Sequence, residues 1–107
     1  MSKIFQMDAT DYENHAEILK RLAHPMRLLI VQKLITMGSL NVAELQSFMY
    51  VPQSVVSQHL SKLKTPKIVS YERKGLEVYY KVIDKKIIDI IQVLGLLKSC
   101  DIDEVKW

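Results

Sequence analysis

The chain has 107 residues, enough for one domain, and its 15 basic and 12 acidic residues leave a net charge of +3. Apolar residues at 49% and charged residues at 25% exclude a disordered chain. A single cysteine, Cys100, excludes an intramolecular disulfide and a cysteine-rich zinc site. The longest apolar-rich stretch, residues 87–97, is interrupted by Asp89 and Gln92 and is too short to span a bilayer. The first residues, MSKIFQMDATDYENH, lack the apolar core of a signal peptide, so a cytoplasmic location is expected.

A first helix is expected from about Thr10 to Leu22, with Ala16, Leu19 and Leu22 at helical spacing. His24-Pro25 marks a break, because the residue before proline avoids the helical region while proline suits a first turn. The second helix reads PMRLLIVQKLITM, apolar enough to lie at the centre of the core, and Gly38 stops it. Asn41 caps a short third helix, with Glu44 in capping-box position and Val42, Leu45 and Met49 along one face.

Tyr50-Val51-Pro52 turns the chain into a fourth helix, Gln53 to Lys64, with Val56, Leu60 and Leu63 on one side. The opposite side carries Ser54, Ser57, Gln58 and Ser61. Exposed helix faces ordinarily favour Glu, Lys and Arg; short hydroxyl and amide side chains instead let a helix approach another surface and exchange hydrogen bonds.

Beyond Pro66 the period changes from 3.6 to 2. IVSYER predicts one strand. In the next, Leu76, Val78, Tyr80 and Val82 point one way and Glu77, Tyr79 and Lys81 the other. Lys74-Gly75 is the expected turn, with Gly75 supplying positive φ and Arg73 and Lys74 at the tip. From Gln53 to Lys81, six basic residues face only Glu72 and Glu77, a net of +4, which leaves −1 for the rest of the chain. Positive charge gathered into one supersecondary unit points to a polyanionic partner.

Asp84 opens a last helix, and eight of the eleven residues from Ile87 to Leu97 are apolar. One buried stripe does not need so many. A second copy of the chain is the expected cover, with Ile87, Ile90, Ile91, Leu94 and Leu97 as its contacts.

A short helix, a tight turn, a serine- and glutamine-faced helix and a basic hairpin describe a mainly α winged helix-turn-helix. Its second helix enters the major groove of double-stranded DNA. Gln53, Ser54, Ser57 and Gln58 lie near the end that reaches base edges, where glutamine pairs with adenine and serine with several bases. Ser61, Lys62 and Lys64 suit phosphates. Arg73, Lys74 and Gly75 form a wing placed for the adjacent minor groove. His59, about 140° round the helix from Ser54, leans toward the packed side and suits an orienting role.

At LKRLAHPMRLLIVQKL, NVAELQ, PQSVVSQHLSKLK and KGLEVYYKV the sequence resembles the ArsR/SmtB family of bacterial winged-helix repressors, especially its metal-independent branch. The resemblance implies one domain over residues 1–107. It also implies a homodimer joined through terminal helices at about 10–22 and 84–98, Leu19 included, and bound across an inverted repeat. It places the base contacts on Gln53, Ser54, Ser57 and Gln58 and the wing contacts near Arg73 and Lys74.

The family's metal ligands are replaced. Its thiolate pair falls at Asn41 and Ala43, and its last-helix set keeps Asp84 but shows Lys86, Leu97 and Cys100. Soft metals need thiolate or imidazole donors, so no metal and no other cofactor is expected. Cys100 leaves open a redox-responsive repressor, although Asp101 and Asp103 beside it disfavour a thiolate. A winged-helix protein-interaction module is the other alternative. An enzyme is not expected: the chain lacks a Gly-rich phosphate loop, H-E-x-x-H and an oxyanion-hole signature.

Overall fold

A computed structural model describes residues 8–97. Helix α1, Ala9–Leu22, starts at Asp8, whose carboxylate accepts from the Asp11 amide while Asp11 caps the Asp8 amide in return. Helix α2, Pro25–Met37, follows the break at His24 and buries Leu29, Ile30, Val31, Lys33 and Leu34. These residues occupy most of its circumference, which makes α2 the centre of the domain. The Lys33 stem is buried too, with its ammonium 4.5 Å above the Phe48 ring. Gly38, at φ 90°, ends the helix.

A two-residue strand β1, Leu40–Asn41, leads into α3, Val42–Gln46. The expected capping box is present: the Asn41 side chain accepts from the Glu44 amide at 2.8 Å, and Glu44 from the Asn41 amide at 2.9 Å. Met49 is buried but lies beyond the helix, in the turn to α4, Gln53–Lys64. Strands β2, Ser70–Lys74, and β3, Glu77–Lys81, form the hairpin, and β1 joins its other edge, giving an antiparallel sheet ordered β1-β3-β2. Helix α5, Lys85–Val93, is capped by Asp84 and closes the core with Ile87 and Ile91.

Several expectations need correction. Strand β2 begins at Ser70, because Ile68 and Val69 are buried in the core ahead of it. The hairpin pairs Lys74 with Glu77, so the turn residues are Gly75 and Leu76. Gly75 has φ 65° and Leu76 has no positive φ, the pattern of a type II′ turn. Leu76 consequently stands at the tip, 94% exposed, apart from Val78, Tyr80 and Val82, its expected companions on one side of the strand.

On α1 the packed residues are Ile18 and Leu22, while Ala16 and Leu19 face outward. Helix α5 stops at Val93, short of residue 98, because Gly95 adopts a left-handed φ of 82° and breaks the ladder. Ile87 and Ile91, expected at a subunit interface, are packed inside the chain's own core, whereas Leu94 is exposed and Ile90 and Leu97 are half-buried. Cys100 lies outside the described residues.

Because Ile91 is fully buried, Ile91→Ala should lower stability by about 2–5 kcal/mol in urea denaturation. A loss of less than about 1 kcal/mol would mean that α5 does not close this core.

Candidate nucleic-acid interface

Helix α4 is held by its inner side. Val56, Leu60 and Leu63 are fully buried, and each contributes about 1.5–3 kcal/mol relative to exposure. Ahead of the helix, the Gln46 amide donates to the Val51 carbonyl at 3.1 Å and fixes the turn. The helix starts at Pro52, which offers no capping acceptor. Gln53, Ser54, Ser57, Gln58, Ser61 and Lys62 are exposed. The base-facing set read from the sequence is therefore solvent-accessible and lies opposite an apolar anchor.

His59 is half-buried between these two sides. Its Nδ1 accepts from Arg27 Nε at 3.2 Å, and the Arg27 Nη1 donates to the Arg21 carbonyl at 3.2 Å. The His24 ring lies 4.5 Å away, tilted by 51°, with its own Nδ1 accepting from the Met26 amide at 3.1 Å. Desolvation is the main cause that lowers the His59 pKa below its ordinary 6.5, followed by the charges of His24 and Arg27. The histidine thus ties the middle of α4 to the start of α2.

Lys64 has a different place from the phosphate-facing one expected. It is half-buried at the end of α4, with its ammonium 4.6 Å from the Tyr71 ring centre and 5.8 Å from that of Tyr80. Tyr71 and Tyr80 are cross-strand partners on β2 and β3, with centroids 6.0 Å apart. The lysine so clamps the helix end onto the base of the wing. Sequence reasoning missed this pair because the turn was set one residue early; counting outward from Gly75-Leu76 brings Tyr71 opposite Tyr80.

On the wing, Arg73, Lys74 and Gly75 are exposed, and Lys74 leans over Tyr79 at 5.4 Å. Among the described residues the ion pairs are Glu17–Arg21 and Lys85–Asp89, neither on α4 nor on the hairpin. Among the described residues Lys62 and Arg73 are therefore cations without a carboxylate partner. Among the described residues no cluster of three His, Cys, Asp or Glu side chains is arranged to hold a metal.

Residues 24–71 match the family profile described as bacterial regulatory protein, arsR family. The chain is 45% identical over 83 residues to the transcriptional repressor PagR of Bacillus anthracis, covering 78% of this chain and 83% of that protein. The crystal structure of PagR superposes with a TM-score of 0.74 at 42% identity, over 81% of this chain and 99% of that one. NolR from Sinorhizobium fredii gives a TM-score of 0.74 at 28% identity, over 89% and 97% of the two chains.

The Lys64 clamp is testable by a double-mutant cycle. Lys64→Met and Tyr71→Leu should show a coupling of about 0.5–1 kcal/mol in urea denaturation, whereas additive effects would place the ammonium in solvent.

Proposed function

The chain belongs to the ArsR family of bacterial regulatory proteins, and from that premise we propose that it represses transcription as a homodimer bound across an inverted-repeat operator, without a metal effector. The observation that carries the reading is the exposed polar side of α4, Gln53, Ser54, Ser57 and Gln58, set opposite three fully buried anchors. Short side chains let the helix enter a major groove. Glutamine offers a donor and an acceptor to adenine, and the serines adapt to several bases. Ser61 and Lys62 meet the flanking phosphates, while Arg73 and Lys74 carry the wing toward the next minor groove.

Dimerisation is supported by apolar surface that stands exposed among the described residues. Leu19 on α1 and Val93 and Leu94 at the end of α5 are exposed, and a shallow depression on α5 is lined by Ile90, Val93 and Leu94 together with Lys85, Lys86 and Asp89. A second copy related by a two-fold axis would cover this surface and present two α4 helices about 34–36 Å apart, one turn of the duplex. A metal-free mode agrees with the chemistry of the family's thiolate positions. The Asn41 side chain is committed to its capping bond, and Ala43 has no donor. No helix among the described residues is long and apolar enough to cross a membrane.

Selection of duplexes from a random pool tests this reading, and an inverted repeat is the expected product. Gln58→Ala should then lose about 1–3 kcal/mol of discrimination at one base position. Lys62→Ala should weaken all duplexes alike and reduce the salt slope by about 1. Unchanged discrimination in both Gln58→Ala and Ser57→Ala would refute the recognition-helix assignment. Leu94→Glu should give a monomer in sedimentation equilibrium that no longer prefers the repeat over a single half-site.

A further inference from the structure

The cluster of His59, His24 and Arg27 lies behind α4 and has no place among the groups that touch DNA. Its hydrogen bonds have a fixed direction. Arg27 Nε carries its hydrogen at every accessible pH, so the His59 Nδ1 at 3.2 Å must be the acceptor. The Met26 amide is likewise always a donor, so the His24 Nδ1 at 3.1 Å accepts. The two rings are 4.5 Å apart. A second proton on His59 would have to sit on Nδ1, where it meets the Arg27 N–H head-on. The hydrogen bond would be lost and two cations would stand side by side.

We propose that His59 is a proton-sensitive positioning residue for the DNA-reading helix: it holds α4 to the start of α2 only while its imidazole is neutral, so acidification loosens operator recognition. The proposal rests on the reading of α4 as the recognition helix.

Among the described residues, the charges that act on the ring offer its protonated form no compensation. From α2 and its cap, Arg27 and His24 face it, and both disfavour its charge. On α1, Glu17 is paired with Arg21 at 2.6 Å, and the Arg21 carbonyl is itself engaged by Arg27. On α3, Glu44 accepts from the Asn41 amide. Burial acts in the same direction. The folded-state pKa lies below 6.5, so the tether is intact above that value and is lost as pH falls through the lowered pKa. Because Arg27 also donates to the Arg21 carbonyl at the end of α1, the same guanidinium links His59 to the α1–α2 junction.

A duplex enriched in vitro by the wild-type protein at about pH 7.5 serves as probe, with binding read by fluorescence anisotropy at about pH 7.5 and 5.5 and constant ionic strength. Extended downward until the His59 ring nitrogens report full protonation, the same measurement should show the wild-type Kd rising about fivefold or more. His59→Asn, whose amide oxygen accepts from Arg27 but does not titrate, should change by less than about twofold. Equal pH dependence in the two proteins overturns the proposal. So does tighter wild-type binding in acid, the result expected of an imidazolium touching phosphate. Without DNA, the amide resonances of residues 53–61 should shift with the same midpoint as the His59 ring nitrogens, and a ring that titrates while those amides stay still also overturns it. If no duplex is enriched, the operator reading fails on its own account, and the spectra still decide the role of His59.

Discussion

Helix α4 is fixed on one side and exposed on the other, a division that the rest of the domain maintains. Val56, Leu60 and Leu63 are fully buried, so rotating the helix by even one residue position would expose part of an anchor that contributes several kcal/mol. The remaining half of the helix is free of packing duties and carries only short or amide side chains up to Lys62. Helix α2, buried around most of its surface, is the rigid body against which this anchor is set. A recognition helix read by hydrogen bonds needs such a base, because the bonds tolerate little displacement.

Two polar contacts refine what the apolar anchor leaves adjustable. At the middle of α4, His59 reaches back to Arg27 at the start of α2; at its end, Lys64 reaches forward to Tyr71 and Tyr80 at the base of the wing. The first contact depends on a neutral acceptor and the second on an ammonium over aromatic rings. They therefore respond differently to solution conditions. Acid weakens the first, while salt has little effect on a lysine held at 4.6 Å over an aromatic ring and shielded by its half-buried stem. Of these two polar contacts, the one to the wing thus depends less on pH than the one to the core.

The helices were legible where proline and glycine punctuate them. PMRLLIVQKLITM lies between His24-Pro25 and Gly38, and QSVVSQHLSKLK follows Pro52; both coincide with the observed α2 and α4. Local signals sufficed because the breaks are chemical: a missing amide hydrogen, or a residue tolerant of positive φ. What escaped was decided at longer range. Strand β1 is two residues that pair with β3 from nearly forty positions away. On α5, Ile87 and Ile91 alternate with Ile90, Val93 and Leu94, so both faces are apolar and periodicity alone does not say which one turns inward. Ile18 and Leu19 pose the same ambiguity on α1. The serine and glutamine face of α4 raised no such ambiguity, because its two sides differ in kind and not only in degree.

The basic residues divide by what already holds them. Lys64 and Lys74 lie over tyrosine rings, whereas Lys62 and Arg73 have no partner among the described residues. A ring does not cancel a charge, so all four contribute to the long-range field that draws a polyanion toward this face. Only a side chain free to reorient can follow a phosphate into direct contact and release its counterion. The field is therefore broader than the set of contacts. In the proposed repressor, steering would come from the whole hairpin and helix end and register on the duplex from few cations, which would leave the polar side of α4 a large share of the discrimination between sequences.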